Sequence, residues 1–155
     1  MIYLAFYKHK VRVTNWRTFK ERAIDEVIRL FTRSRYSHCE IAVARNDGKF
    51  TCYTSSPRDG GVRKKIMHLP SDKWDLVRVN VSANRVRSIF AKHVGKRYDL
   101  LGALFYPLGI HRKNKYFCSE YCAITLNYYN TLQSPQSLYE VAIADTPKSP
   151  NHQRG

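Results

Sequence analysis

Residues 37–56, SHCEIAVARNDGKFTCYTSS, have the pattern of a β-hairpin. Apolar and polar residues alternate along SHCEIAVAR (37–45), which is typical of a strand with one buried face. The segment NDGK (46–49) contains Asp-Gly, a pair that favours tight hairpin turns, and FTCYTSS (50–56) follows as the partner strand. The pattern therefore predicts an antiparallel sheet in the middle of the chain.

Further strands are expected on both sides of this hairpin. IYLAFY (2–7) is a short apolar and aromatic run, which is typical of a buried strand. VRKKIM (62–67) and WDLVRVNV (74–81) also have strand patterns, and PRDGG (57–61) predicts a turn before the first of them.

One helix is predicted between the first strand and the hairpin. It begins between Thr14 and Thr18, and a capping box of Thr18 with Glu21 argues for the later start. Its apolar residues recur at steps of three and four, so they predict one buried face of a scaffold helix without chemistry. That predicted face consists of Trp16, Phe19, Ala23, Ile24, Val27, Ile28 and Phe31.

Several helices are predicted after the sheet, so the expected fold class is α+β. Helical periodicity runs from Asn84 to Val94, where Gly95 ends it. Ser134 and Pro135 provide the cap and first turn of a last helix. The other helices are predicted at 97–109 and 118–130, and the last one covers 134–143.

The chain of 155 residues is long enough for one domain, which we expect at 1–145, followed by a disordered polar tail at 146–155. No apolar run reaches the ~18 residues of a transmembrane helix. The N-terminal charges follow a short apolar run, which argues against a secretory signal. These features favour a bacterial or phage protein of the cytoplasm with its four cysteines reduced.

The charge is strongly positive, with 27 Lys and Arg against 12 Asp and Glu and a net charge of +15. Such a chain is expected to attract polyanions or an acidic substrate. The charges are scattered along the sequence, which is also typical of a solvated basic surface. Nucleic-acid binding is therefore an alternative that the sequence does not favour.

The segment KYFCSEYCA (115–123) places Cys118 at the start of a predicted helix. A cysteine is a nucleophile only as the thiolate, and its ordinary pKa is about 8.5. Lowering this pKa by about two requires about 2.7 kcal/mol. A helix N-terminus typically supplies about 0.3–1 kcal/mol. The helix alone is therefore too weak, and an imidazolium partner is required.

His38 is the candidate partner of Cys118. Residues two apart in a strand share a face, so His38 and Glu40 lie together while Cys39 and Ile41 face the other way. A carboxylate beside the imidazole fixes its tautomer and stabilises its charged form. The spacing leaves open whether Glu40 bonds His38 directly or through water or another residue.

In this order, YSHCEIAV, KRYDLLG and KYFCSEYCA resemble the circularly permuted branch of the NlpC-type, papain-like cysteine hydrolases. The wider group includes lecithin–retinol acyltransferase. The resemblance extends over about residues 2–143 and includes DGGVR and SPQSLY. It implies a papain-like fold with a central antiparallel sheet, one N-terminal helix and a C-terminal helical part. It also implies Cys118 as nucleophile, His38 as base and Glu40 as orienting acid, with no cofactor.

Other polar residues are candidates for substrate or oxyanion binding. Tyr98 is a candidate oxyanion donor and Asp99 a candidate cleft residue, but Tyr98 packing in the core and Asp99 capping a helix are the alternatives. The backbone N–H of Cys118 is a further oxyanion donor. Arg63 and Arg112 are candidates for binding acidic groups of a substrate, with ordinary surface charges as the alternative.

The remaining cysteines are expected to be buried core thiols. Cys118 and Cys122 are one helical turn apart, which separates their Cβ atoms by about 5–6 Å, whereas a disulfide needs about 3.5–4.5 Å. This spacing is also not that of a structural zinc site, so no metal is expected. His111 is a rival base, but the positive charge of its loop disfavours an imidazolium there.

The sequence therefore supports functions of two classes. The first is a thiol hydrolase that cleaves a peptide, amide or ester bond of an acyl or peptide substrate. Acyl transfer or lipid-ester hydrolysis by the same residues is its variant. The second is a basic nucleic-acid-binding module in which the cysteine site is unused.

Overall fold

The computed structural model of the chain describes residues 1–10, 12–99, 101, 115–128 and 134–146. Most of the helix predicted at 97–109, the loop with His111, Arg112 and Lys113, and the tail from residue 147 lie outside the described residues. The described part has an α+β architecture, as the sequence predicts.

Seven strands of the described residues form one sheet in the order β5-β1-β2-β3-β4-β6-β7. The sheet is mixed, because β6 and β7 pair in parallel whereas the other neighbouring strands are antiparallel. The strands are β1 (Ile2–Tyr7), β2 (His38–Ala44), β3 (Phe50–Ser56), β4 (Gly61–Met67), β5 (Trp74–Arg78), β6 (Arg97–Tyr98) and β7 (Lys115–Tyr116).

The predicted central hairpin is confirmed as β2 and β3, which pair with Ile41 opposite Tyr53. Gly48 in the turn has a φ of 74°, a conformation that glycine adopts without steric cost. The predicted strand 74–81 is shorter in the structure and ends at Arg78. Its neighbour β1 starts at Ile2, whose carbonyl accepts the N–H of Val79, so the pairing has no further partner beyond that point.

Four helices are described: α1 (Trp16–Thr32), α2 (Ala83–His93), α3 (Cys118–Leu126) and α4 (Pro135–Ala144). Ser134 caps α4 as predicted, by accepting the N–H of Ser137 at 3.1 Å. The helix predicted over 118–130 ends earlier, because Asn127 adopts the left-handed conformation that closes α3. The helix predicted from residue 97 is wrong at its start, because Arg97 and Tyr98 pair as β6. None of the described helices is long and apolar enough to cross a bilayer.

The capping of α1 differs from the prediction. Asn15 is the N-cap, and its side chain accepts the N–H of Thr18 at 2.9 Å. The hydroxyl of Thr18 in turn accepts the N–H of Asn15 at 3.0 Å. The capping box therefore joins Asn15 to Thr18, and the predicted box of Thr18 with Glu21 is wrong.

The predicted orientation of α1 is also wrong for most of its apolar residues. Trp16 is 67% exposed and Leu30 75%, whereas Asp25 and Arg29 are buried beside Ile28. Polar contacts account for this orientation, because the inward side chains find charged or hydrogen-bonding partners there. Of the predicted buried face, Trp16, Phe19, Ala23 and Val27 are exposed, Ile24 is half-buried, Ile28 is buried, and the side chain of Phe31 lies outside the described set.

The main core lies between the sheet and the helices that follow it. α3 packs against β2 and β3, and α4 packs against β1 and β5. Leu4 and Ile41 meet Tyr121 and Leu138 in this core. A smaller cluster, on the other face of the sheet, contains Ala5, Ala42, Cys52, Leu69 and Trp74.

Gly61 is the point where β4 approaches the segment that leads into β6. Its φ is 159°, and the neighbouring Val62 N–H donates to the Lys96 carbonyl at 2.8 Å. A Cβ atom at Gly61 would overlap that same carbonyl. Only glycine therefore allows the close approach that places Tyr98 on the sheet.

We expect Gly61→Ala to destabilise the protein by about 2–3 kcal/mol, because the added methyl collides with rigid backbone. Gly60→Ala is the matched control, since Gly60 has a φ of 79° but open space around it, and should cost about 1 kcal/mol. Urea unfolding of both variants provides the measurement. Equal losses of stability in the two variants would contradict the close approach.

Candidate active site

The sheet and α3 bring His38 and Cys118 together from distant parts of the sequence. His38 is the first residue of β2 and Cys118 is the first residue of α3. Because α3 packs on β2 and β3, the helix start meets the start of the strand. The side chains of Cys118 and His38 are hydrogen-bonded to each other.

Glu40 extends this pair to a chain of three groups. His38 Nε2 lies 3.2 Å from Glu40 Oε1, so the strand spacing gives direct contact and the question that the sequence left open is answered. With Nε2 bonded to Glu40, Nδ1 is the ring nitrogen left for the sulfur of Cys118. The Glu40 side chain is only 1% exposed, so water does not compete for it.

Hydrogen bonds hold His38 and Glu40 in their charged forms. Burial lowers the pKa of His38, but its hydrogen bonds with Cys118 and Glu40 outweigh this effect and raise the pKa to about 9. Burial would raise the pKa of Glu40, yet hydrogen bonds from His38 and Arg63 lower it. Glu40 is therefore a carboxylate at neutral pH and His38 an imidazolium.

The sulfur of Cys118 is stabilised as a thiolate. The hydrogen bond from the Cys39 side chain holds the pKa of Cys118 well below its usual range, and burial opposes it. The hydrogen bond and positive charge of His38, together with a backbone hydrogen bond from Cys39, lower this pKa further. The Cys118 thiolate is therefore stabilised both by the His38 imidazolium and by the side-chain and backbone hydrogen-bond donors of Cys39.

Cys39 is a contributor that the sequence reasoning missed. Strand alternation places it on the face opposite His38, where a buried core thiol was expected, and it is buried. The same face receives α3, so Cys39 meets the sulfur of Cys118. Strand alternation gives the face on which Cys39 lies, but the packing of α3 on that face, which the spacing does not encode, is what brings Cys39 to the sulfur.

The other cysteines lack this activation. Burial raises the pKa values of Cys39, Cys52 and Cys122, whereas the pKa of Cys118 is lowered. All four are free thiols and all are buried. Cys118 is therefore the cysteine with nucleophilic character at neutral pH.

Arg63 on β4 clamps Glu40. Its two terminal nitrogens lie 2.9 Å and 2.8 Å from the two carboxylate oxygens of Glu40. Its Nε lies 2.9 Å from Asp59, which also pairs with Lys65. The sequence assigned Arg63 to an acidic group of the substrate, and in the structure its guanidinium binds two carboxylates of the protein itself.

Asp25 on α1 is a second residue that the sequence reasoning missed. It is buried, accepts a 2.6 Å hydrogen bond from Arg58, and lies close enough to His38 to feel its charge. Burial raises the pKa of Asp25, and the charges of Arg58 and His38 oppose that rise. No sequence pattern indicated this role, because Asp25 falls on the face that the helical periodicity assigned to solvent.

Tyr98 and Asp99 lie at the edge of the site. Burial and then the negative charge of Cys118 raise the pKa of Tyr98 well above its usual value, so the phenol lies within electrostatic range of the sulfur. The Tyr98 N–H donates to the Gly60 carbonyl at 3.0 Å. Asp99 is buried, and its N–H donates to the Tyr116 carbonyl at 3.1 Å. The candidate Arg112 and the rival base His111 lie outside the described residues.

A pocket of about 570 Å³ opens on the side of His38 and Glu40. Cys118 is 2% exposed and does not line this pocket, so the pocket reaches His38 and Glu40 but not the sulfur. The lining combines aromatic and aliphatic side chains with both basic and acidic ones. Besides His38 and Glu40 it consists of Tyr7, Trp16, Arg17, Lys20, Ile24, Asp25, Ser37, Ser56, Pro57, Arg58, Asp59, Arg63, Lys65, Met67 and Trp74.

Among the described residues, no group of three or more His, Cys, Asp or Glu side chains is arranged to hold a metal ion. No protein-family model matches the chain, and no curated protein matches it either.

We expect iodoacetamide to label Cys118 before the other cysteines at pH 6–7, because only its pKa is lowered. Labelling should slow as the pH falls through the pKa of Cys118, since the thiolate is lost there. Because Cys118 is 2% exposed, the ratio of rates at two pH values separates ionisation from access. Peptide mass spectrometry measures each site.

His38→Ala should remove the preference for Cys118, and His68→Ala is the matched control, because His68 is exposed and lies outside the pocket lining. Slow and equal labelling of all four cysteines in the wild-type protein would contradict the activation of Cys118.

Arg63→Met should destabilise the fold by about 3–5 kcal/mol, because it leaves the buried Glu40 charge without the guanidinium that binds both of its oxygens. The variant should also change the pKa of His38, which NMR titration of the imidazole measures. Arg45→Met is the control, since Arg45 pairs with Asp47 at the exposed surface and its loss should hardly change the unfolding midpoint. Similar stabilities of the two variants would show that Arg63 does not support Glu40.

Proposed function

We propose that the protein is a cysteine hydrolase with a papain-like, circularly permuted arrangement, in which Cys118 attacks the carbonyl of an amide or ester. One observation carries the proposal: the sulfur at the start of α3 is hydrogen-bonded to His38, which lies 3.2 Å from the buried Glu40 carboxylate. A thiolate, an imidazolium and an orienting carboxylate in one hydrogen-bonded chain are the groups that this chemistry requires.

In the first half of the reaction the Cys118 thiolate adds to the carbonyl carbon. The carbonyl oxygen takes the negative charge and is stabilised by backbone N–H groups at the start of α3, where Phe117 provides no side-chain cap. The His38 imidazolium then donates its proton to the departing amine or alcohol. The carbon–heteroatom bond breaks, and a thioester of Cys118 and neutral His38 remain.

In the second half neutral His38 accepts a proton from water. The resulting hydroxide equivalent attacks the thioester carbonyl, the carbon–sulfur bond breaks, and the acid product leaves. Cys118 returns to the thiolate and His38 to the imidazolium. A second alcohol or amine in place of water makes the same residues an acyltransferase, which is the variant of this proposal.

Glu40 and Arg63 act through His38. Glu40 accepts the Nε2 hydrogen bond and so keeps Nδ1 directed at the sulfur. Arg63 holds both Glu40 oxygens and prevents the carboxylate from rotating away from the imidazole. The Glu40 carboxylate also stabilises the His38 imidazolium that protonates the leaving group.

The pocket beside His38 supports an acyl or peptide substrate. Trp74 and Met67 offer apolar contact and Lys20 brings positive charge to the same space, whereas Arg58 and Lys65 already pair with Asp25 and Asp59. A peptide or amide bond is the leading version, and a lipid ester is the alternative. The mechanism needs a reduced Cys118, which fits a reducing compartment such as the cytoplasm.

The test is hydrolysis of a panel of activated esters and amides, with detection of the acyl-enzyme by intact mass. Cys118→Ser should abolish turnover, and His38→Ala should reduce it by about 10²- to 10⁴-fold. The rate should rise with pH through the lowered pKa of Cys118 and fall above about pH 9, where His38 loses the proton it donates.

His68→Ala serves as the matched control and should retain wild-type turnover, because His68 lies outside the pocket. Turnover that survives Cys118→Ser, or an acyl group found on a different residue, would overturn the proposal. Steeply salt-dependent retention on DNA or RNA without any acylation of Cys118 would favour the nucleic-acid-binding alternative.

A further inference from the structure

An exposed row of apolar side chains runs along α1. Four large hydrophobic side chains of this helix are exposed to solvent, and we call them the α1 stripe: Trp16, Phe19, Val27 and Leu30. Their positions differ by steps of three and eight residues, which return to one side of the helix, so they form a row in which the small, exposed Ala23 lies between Phe19 and Val27. From Trp16 to Leu30 the row is about 21 Å long, given a rise of about 1.5 Å per residue.

The stripe ends in an exposed aromatic pair. The rings of Trp16 and Phe19 stack with centroids 5.3 Å apart and planes inclined by 16°. The Lys20 ammonium lies 5.3 Å from the centroid of the Trp16 ring. Contiguous apolar surface that is exposed to solvent is a feature of protein and membrane interaction sites.

Buried polar contacts fix the outward orientation of the stripe. Asp25 binds Arg58 at 2.6 Å, and Arg29 donates to the His9 carbonyl at 3.0 Å and to the Ser37 hydroxyl at 3.3 Å. If the helix rotated to bury the stripe, these contacts would break, and the charges of Asp25 and Arg29 would lose their partners. The fold therefore holds the apolar side of α1 toward the solvent.

Basic residues lie at both ends of the stripe. Arg12 and Lys20 are exposed near its N-terminal end and Arg33 is exposed beyond its C-terminal end. The whole chain carries a net charge of +15, so two copies repel each other and self-association through this face is disfavoured. An anionic partner is favoured by the same charge.

We propose that the α1 stripe docks the protein on the surface of a bilayer that contains anionic phospholipids. A helix that exposes Trp, Phe and Leu on one side, with basic residues nearby, has on that side the composition of a helix that lies in the bilayer interface. Tryptophan prefers the level of the lipid headgroups, because its ring is both apolar and hydrogen-bonding. Anionic lipids supply the opposite charge for the basic residues.

The docking surface adjoins the pocket of the candidate active site. Trp16, Lys20 and Ile24 line that pocket, and Trp16 also belongs to the α1 stripe. Docking would thus place the pocket mouth close to the lipid headgroups. The inference goes beyond the proposed hydrolase, and it holds whether or not Cys118 is catalytic.

Flotation of the full chain with vesicles tests the proposal. We expect binding to phosphatidylcholine vesicles that contain phosphatidylserine, weaker binding to phosphatidylcholine alone, and loss of binding as salt increases. Trp16 provides a second readout, since its fluorescence should shift to the blue on docking and the shift should vanish in Trp16→Phe. The other tryptophan, Trp74, is already buried.

The Phe19→Ser/Leu30→Ser double variant should weaken vesicle binding by about tenfold or more, because it removes two side chains that enter the interface. Neither residue lines the pocket, and both are exposed, so circular dichroism and the unfolding temperature should match the wild type. Ile66→Ser/Val94→Ser is the matched control, because it removes two exposed apolar residues elsewhere and should bind vesicles as the wild type does.

Three results would overturn the proposal. The first is the absence of binding to anionic vesicles, which would leave a protein partner as the occupant. The second is a double variant that binds vesicles as tightly as the wild type. The third is a wild-type dimer in sedimentation that the double variant dissociates, which would assign the stripe to a second copy of the chain.

Discussion

The ion pair between Glu40 and Arg63 is the constraint on which the rest of the site depends. A carboxylate that is 1% exposed is costly to bury, and the paired hydrogen bonds from Arg63 on β4 offset that cost. The pair fixes the oxygen that His38 meets, and His38 in turn supplies charge to the sulfur at the start of α3. The buried Glu40 carboxylate thus fixes how side chains of three elements, β2, β4 and α3, meet in the site.

Polar contacts also explain why α1 has an unusual orientation. In most surface helices apolar burial holds the helix against the core, but here Asp25 and Arg29 point inward and find partners on neighbouring segments. The same inward face supplies Asp25 close to His38, so the scaffold helix contributes to the electrostatics of the site. The same polar contacts therefore both expose the apolar row of α1 and place its charged side at the pocket.

The sequence predicted what local periodicity determines. The two-residue period of β2 placed His38 beside Glu40, and Asp-Gly placed the turn between β2 and β3. Prediction from the sequence failed where contacts between distant segments determine the structure. Periodicity shows that α1 has an apolar side but not which side faces the sheet, and the partners of Asp25 and Arg29 come from distant segments. The contact of Cys39 with Cys118 and the approach of Lys96 to Gly61 depend on packing between elements, which spacing does not encode.

The attachment of α1 has a consequence for how the pocket opens. The wall that α1 provides is joined to the sheet mainly through ion pairs and hydrogen bonds, whereas the opposite wall belongs to the β-ladder between β3 and β4. Local opening of a segment that buries little apolar surface causes only a small change in heat capacity, and its free energy depends weakly on the urea concentration. Ionic strength also weakens such an attachment only slightly, because Asp25 and Arg29 are buried and salt screens buried charges little. One wall of the pocket is therefore held by buried polar contacts and the other by strand pairing.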